Sequence, residues 1–258
     1  MRVLFVAGAC PYPPDSGGTV RTFNLLKRLC LRHEVMLIAP SKPGVDLDAV
    51  FGGRLSRAVA VGPPARGIAR TLGALLSPLP YIVSAHENLA MRTALEETLA
   101  AEQFDLLHCD SISVVPAIPE GAVAKTFNAH NIEAMIWERY LCEERRPWMI
   151  PVLRSQLAKV VAYEAGLPSL FDCCIAVSEE DRAEMRRRYR AENVSVVANG
   201  VDLDFYSSLP DQSAPAVAFV GSLDWRPNQD GVRWLLESIW PLVLEQMPGA
   251  TLSVIGRR

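Results

Sequence analysis

Four short segments combine reactive residue types with a place just after an apolar run. Asn128-Ala-His-Asn-Ile-Glu133 sets an imidazole three residues from a carboxylate. Those types suit general acid–base work or hydrogen bonding to a polar substrate. The same segment reads alternatively as a helix start, with Asn131 as the cap and Glu133 in the first turn. Cys10-Pro-Tyr-Pro-Pro-Asp-Ser-Gly-Gly18 ends in two glycines, which let a ligand approach the backbone, and a helix beginning near Thr19 would offer free N–H groups to an anion. A plain Pro/Gly turn fits the spacing equally. It is not a dinucleotide fingerprint, because Gly8 is followed by Ala, Cys and Pro. Gly221-Ser-Leu-Asp-Trp-Arg-Pro-Asn228 sets Arg226 ahead of a helix, an arrangement that holds a diphosphate or forms an ordinary loop. Asn199-Gly-Val-Asp202 is a turn signal in its own right. His33, His86 and His108 have weaker context, and His33 and His108 read as structural or surface groups.

The elements that must position these residues follow an alternating rhythm. Val3–Ala7, Glu34–Ala39, Ala58–Val61, Asp105–Cys109, Ala122–Phe127, Cys173–Val177 and Ser195–Ala198 are Val/Ile/Leu-rich with little polar alternation, as strands buried on both faces should be. Between them, Thr19–Leu31 carries Val20, Phe23, Leu26 and Cys30 on one helical face. Leu153, Leu157, Val160 and Val161 make a second helical stripe, and Ser178-Glu-Glu-Asp181 opens another helix. The fold class is therefore α/β, a doubly wound parallel sheet with helices on both faces. Ser207–Pro215 reads as a linker after a first domain over 1–206. Beyond it come a strand Ala216–Val220, a helical stripe Val232, Leu235, Leu236, Ile239 and Val243, and a strand Leu252–Ile255. That is a single β-α-β unit over 216–258, an incomplete second Rossmann-like domain.

Composition sets the limits. Half of the 258 residues are apolar and 21% are charged, which excludes intrinsic disorder. Lys and Arg number 26 against 29 Asp and Glu, a net charge of −3, so no basic field exists to hold nucleic acid. No segment reaches the ~18 apolar residues of a membrane span, since Leu72–Val83 is interrupted by Ser77, Pro78 and Pro80. Val3–Cys10 reads as a buried strand rather than a signal peptide. Six cysteines without CxxC or metal spacing read as reduced residues of a cytoplasmic protein, a Cys173–Cys174 disulfide being the minor alternative. Arg182, Arg186, Arg187, Arg188 and Arg190 are interleaved with acids, as on a solvated helix face. The minor reading is a peripheral contact with anionic lipid at the inner face of a membrane.

Taken together, these segments resemble the GT-B glycosyltransferases of retaining family four. The residues that carry the likeness are Arg2-Val-Leu-Phe-Val with Pro13, Gly17 and Gly18, Arg32-His-Glu-Val35, His130-Asn-Ile-Glu133, Ala176-Val-Ser178, Asn199-Gly-Val-Asp202, Phe219-Val-Gly-Ser-Leu223 and Arg226-Pro-Asn228. Their order and spacing, rather than any single motif, is what matches. The resemblance implies two facing Rossmann-like domains, the first binding a glycan or lipid-linked acceptor and the second a nucleotide-sugar donor. It makes His130 and Glu133 the catalytic pair. It assigns Gly17, Gly18, Arg21, Asn131, Asn199, Gly221 and Arg226 to donor or acceptor binding. It implies no metal and no cofactor besides the donor itself, with leaving-group stabilisation carrying most of the catalysis. The family often places an Arg and a Lys in the loop after the first strand of its second domain, whereas Ser222 follows Gly221 here and that loop has no Lys. The family's paired glutamates, seven residues apart, would fall after residue 258, so the resemblance implies a truncated donor domain and impaired activity. Two other readings compete with it. One is a non-catalytic acceptor-binding or regulatory module. The other is a Rossmann dehydrogenase or epimerase, against which the absent GxGxxG speaks.

Overall fold

The computed structural model describes residues 1–258 except 66, 122, 204–205, 207–214, 225 and 257–258. The predicted linker, but for Pro215, lies outside the described residues. The chain divides into two units, Met1–Gly200 and Val201–Arg258.

The first unit is a seven-stranded parallel sheet. In chain order its strands are β1 (Arg2–Val6), β2 (Glu34–Pro40), β3 (Arg57–Val61), β4 (Leu106–Cys109), β5 (Ala124–Asn128), β6 (Cys173–Ala176) and β7 (Val194–Val196). Their order across the sheet is β3-β2-β1-β4-β5-β6-β7. The chain winds outward from β1 to β3 and then returns to lay β4 on the other side of β1. The two halves diverge between β1 and β4, and that crevice at the carboxyl ends is where an open α/β sheet binds ligands.

The β1 side chains show why this strand is central. Leu4 and Val6 enter the core on one face, with Met36, Ile38 and Leu107. Val3, Phe5 and Ala7 enter the core on the other, with Leu26, Val35, Leu37 and Phe51. Successive side chains point to opposite faces, so burial on both requires an unbroken apolar run.

Two local features differ from the expectations above. The helix predicted from Thr19 runs Gly17–Leu29, because Ser16 caps it. The Ser16 side chain accepts from the Thr19 N–H and the Thr19 hydroxyl accepts from the Ser16 N–H at 3.0 Å, the reciprocal arrangement of a capping box. Gly17 and Gly18 are thus first-turn helical residues rather than a free turn. The strand predicted as Ala122–Phe127 runs Ala124–Asn128, and Asn128 pairs with Ile175 of β6. The ladder therefore fixes Asn128 in place.

In the second unit, β8 (Ala216–Val220) pairs in parallel with β9 (Thr251–Ile255). The predicted helical stripe is not one regular helix. It runs as helix Arg226–Trp234, a π-turn Leu235–Ile239 and helix Trp240–Gln246. Pro241 accounts for the break, since it lacks an N–H and its ring crowds the carbonyl four residues back. A widened turn absorbs that conflict at the cost of the stripe's phase. Large apolar side chains stay exposed in this unit, among them Val220, Trp234 and Leu242.

Candidate functional site

Asp110 directly follows β4, and its N–H donates to the Val6 carbonyl of β1 at 2.9 Å. That bond ties it to the divergence of the sheet. Its side chain is only 3% exposed and is satisfied from several elements. The Asn128 amide donates to Oδ1 at 2.7 Å. The Thr22 hydroxyl, from the helix after β1, donates to Oδ2. His130 Nε2 lies 2.7 Å from the Asp110 carbonyl oxygen and 3.4 Å from Oδ1. A carbonyl only accepts, so Nε2 carries a proton, and Nδ1 is the nitrogen that Asp110 does not hold. His108 Nε2 lies 3.7 Å from Oδ1, and its Nδ1 pairs with Thr126 Oγ1 at 2.8 Å.

Arg21 supports this group from the side. It is 8% exposed and donates to Asn128 Oδ1 at 3.3 Å, Asn199 Oδ1 at 2.9 Å and the Val197 carbonyl at 2.7 Å. One guanidinium thereby joins β5 to the turn after β7. Burial pulls its pKa down and the charge of Asp110 opposes that.

The electrostatics follow from the contacts. Burial pushes the Asp110 carboxyl up, but the nearby His108 and His130 imidazoles, the Thr22 hydroxyl and the charge of His130 prevail and hold it well below the usual carboxylate range. Burial pulls the His130 imidazole down, but the Asp110 carboxylate and carbonyl prevail and raise it. His130 is therefore a proton-bearing imidazole, 23% exposed at its side chain, steered by an ionised carboxylate.

Glu133 opens helix Glu133–Glu143. Burial, and then the neighbouring charge of Glu164, pushes its carboxyl up to about 7. Glu164 accepts from the backbone N–H of Glu133 at 2.7 Å and of Ala134 at 3.0 Å, and from the Tyr189 hydroxyl at 2.7 Å. The cap expected from Asn131 is thus corrected. Ile132 is the capping residue and makes no side-chain cap, while a carboxylate from a distant helix satisfies the free N–H groups. Asn131 is exposed and hydrogen bonds Glu133 instead.

The raised Glu133 value has a sign that can be tested. Its folded pKa lies above the ordinary 4.5, so the folded state holds the proton more tightly. The associated stability is full below about 4.5 and is lost as pH rises through about 7. Glu133→Gln removes the charge. We expect it to stabilise the fold by about 1–3 kcal/mol at pH 8 and to change little at pH 4. Thermal unfolding across that range checks it, and a Gln variant less stable at pH 8 would contradict it.

The structure brings Arg21, Asn199 and His130 into one network through Asn128 and Asp110. Gly17 and Gly18 lie one turn before Arg21 and Thr22 on the same helix, and a Cβ at either would meet nothing within 4 Å. The space beside these glycines is therefore open to the approach of a ligand. Gly221 and Arg226 belong to the second unit. A Cβ on Gly221 would come within 2.9 Å of Asn228 Nδ2. Arg226 is the first residue of its helix rather than ahead of it, 3.8 Å from Asp230. His108, expected to be structural or at the surface, is buried beside Asp110. The sequence reading missed Asp110 and Thr22 altogether. Asp110 carried one signal, its place at the end of a predicted strand, but that strand's position beside β1 was not readable.

Gly8 lies across the crevice from Asp110's own loop. A Cβ there would sit 2.7 Å from Ser111 Cβ and 2.8 Å from Ser113 Oγ. Gly8→Ala should cost about 1–3 kcal/mol through overpacking. A lower urea midpoint at unchanged slope would show it, and an unchanged midpoint would refute it.

A parallel sheet of this order, with a polar network at its β1/β4 crevice, defines the Rossmann-like half of a GT-B fold. The chain belongs to Glycosyltransferase Family 4, whose match spans residues 16–205. It is 22% identical over 260 residues to an "Uncharacterized 44.6 kDa protein in cps region" of Klebsiella pneumoniae, covering 99% of this chain and 64% of that protein. The chain thus spans less than two thirds of that relative's length. A UGT transferase from Siraitia grosvenorii, solved in complex with UDP, has a similar fold at 9% identity and a TM-score of 0.51, covering 99% of this chain and 73% of that one. A sucrose-phosphate synthase from Thermosynechococcus elongatus aligns at 11% identity and a TM-score of 0.46, over 78% of this chain and 91% of that one. Among the described residues, no helix is long and apolar enough to cross a membrane, and no cluster of three or more His, Cys, Asp or Glu could hold a metal ion.

Proposed function

We propose that the protein transfers a sugar, with retention, from a nucleotide-diphosphate sugar to a glycan or lipid-linked acceptor. The first unit is the acceptor side and the second unit opens the donor side. The observation that carries this reading is the Asp110–His130 pair at the β1/β4 crevice of a Family 4 chain. The UDP held by the Siraitia transferase supports a nucleotide-linked donor.

In this reading the bond from the anomeric carbon to the diphosphate oxygen breaks, and its electron pair leaves with the diphosphate. The acceptor oxygen forms the new bond on the same face and gives up its proton. His130, whose charged form Asp110 favours, lies beside the transferred sugar and stabilises charge as it develops. Glu133, titrating near 7, accepts the acceptor proton. Arg226 helps to hold the departing diphosphate. No step is assigned to a metal. The six cysteines are free, which favours a reducing, cytoplasmic setting.

The test is release of nucleoside diphosphate by the full-length protein from a panel of UDP-, GDP- and dTDP-linked sugars, with and without saccharide and lipid-phosphate acceptors. Acceptor-dependent release from one donor is expected. Absence of release from every donor would overturn the proposal.

A further inference from the structure

A cavity of about 300 Å³ lies between helix Ile68–Leu76 and helix Leu89–Ala101, outside the network described above. Its polar lining includes Arg70, His86, Arg92 and Ser113, and its apolar lining includes Leu89 and Pro116. That mixture suits a saccharide, whose C–H faces pack on apolar surface while its substituents take hydrogen bonds.

Arg70 decides the chemistry. Its Nη2 donates to the carbonyls of Ser84 at 3.3 Å and Glu87 at 2.6 Å, which fixes the guanidinium in place. Its Nε is buried and has no hydrogen-bond partner. Among the described residues Arg70 forms no ion pair with an acid. The guanidinium thus brings a fixed positive charge to the lining that no acid of the described residues offsets, and an anionic ligand would pair with it. Arg92 adds a second cation, with Glu96 as an exposed partner at 3.0 Å. Glu87 is the acid of the lining and Arg70 engages its backbone, so the cations outnumber the acids around the cavity. His86 Nδ1 lies 3.0 Å from the Ile82 carbonyl. It must donate there, which leaves Nε2 of the neutral ring to accept from a hydroxyl.

Ser113 joins this cavity to the β1/β4 crevice. Its hydroxyl pairs with Ser111 Oγ at 2.8 Å, and Ser111 adjoins Asp110, whose carbonyl holds His130. We infer that this cavity seats an acceptor sugar bearing an anionic substituent, a carboxylate or a phosphate, with Arg70 and Arg92 reading the charge. The inference rests on the glycosyl-transfer reading only for the word acceptor; the ligand chemistry stands on the cavity.

Calorimetric titration of the full chain with glucose, glucuronate, glucose 6-phosphate and inorganic phosphate tests it. At least one anionic sugar should bind roughly ten-fold more tightly than glucose, the order of one added charge-assisted contact. Glucuronate alone indicates a carboxylate, and glucose 6-phosphate alone a phosphate. Arg70→Met should remove that preference. Should Arg70→Met unfold, Arg92→Met decides the matter, since its side chain is 60% exposed and its loss should weaken anionic sugars but not glucose. Equal affinity for glucose and both anionic sugars would overturn the inference, as would a preference intact in the Arg92 variant. Inorganic phosphate binding as tightly as glucose 6-phosphate would reduce the cavity to an anion site and also overturn it. Anionic-sugar binding without sugar transfer from any donor would sink the functional reading and leave the cavity assignment standing. Transfer to neutral acceptors alone would do the reverse.

Discussion

Asp110→Ala should lower the unfolding free energy by about 3–5 kcal/mol, the range for removing one partner of a buried charged pair. The reason lies in what the alanine leaves behind. The Asn128 amide, the Thr22 hydroxyl and the His130 side-chain contact all lose their acceptor. The Asn128 and Thr22 side chains are buried and cannot turn to bulk water in exchange. Asp110→Asn keeps the shape and removes the charge, so its cost is smaller, about 1–3 kcal/mol. The two variants also differ from wild type in pH dependence. The folded pKa of Asp110 is depressed, so its stabilisation is present above the ordinary carboxylate value and is lost as pH falls through the folded one. The wild-type advantage over Asp110→Asn should therefore shrink as pH drops below about 4. Urea denaturation at several pH values measures this. A wild-type advantage that grows on acidification would contradict the assignment.

Under the proposed function, His130→Ala should lower the rate of sugar transfer by about 10²–10⁴-fold while the chain still folds, since the residue is part-exposed and lies at a strand end. Nucleoside diphosphate release by the full-length protein gives the rate. His130 also reports on Asp110. Its folded pKa is raised, so the stability it contributes is full below about 6.5 and is lost as pH rises through the folded value. In Asp110→Asn the imidazole should titrate at lower pH than in wild type, because burial then acts with less opposition. An imidazole NMR titration reads that directly. Undiminished transfer by His130→Ala would remove the residue from the mechanism.

Short apolar strands were legible because both faces of the sheet are buried. The β1 run from Val3 to Ala7 has no polar interruption, and none is tolerated where Leu4 and Phe5 are fully enclosed. The Asn128–Glu133 cluster was visible for a related reason, as a polar group that abruptly ends such a run. Asp110 was not visible. Its importance depends on β4 lying beside β1, with Cys109 opposite Val6, and that pairing joins residues about a hundred positions apart. The helix cap shows the same limit. Local chemistry offered Asn131, but the N–H groups went to Glu164, |i−j| = 31 from Glu133, brought there by packing between two helices. The break in the second unit's helix had a local cause in Pro241, which the apolar stripe concealed. Periodicity reports which residues are buried, whereas a site depends on which distant strand ends meet.

Under the proposed function the β1/β4 crevice, with Asp110 holding His130, carries out sugar transfer with retention. NMR of the product formed by the full-length protein from a donor labelled with carbon-13 at the anomeric position tests it most directly. A labelled glycoside with the anomeric configuration of the donor is expected, with severely reduced formation of it in His130→Ala. No labelled glycoside from any donor, or one of inverted configuration, would contradict the proposed function.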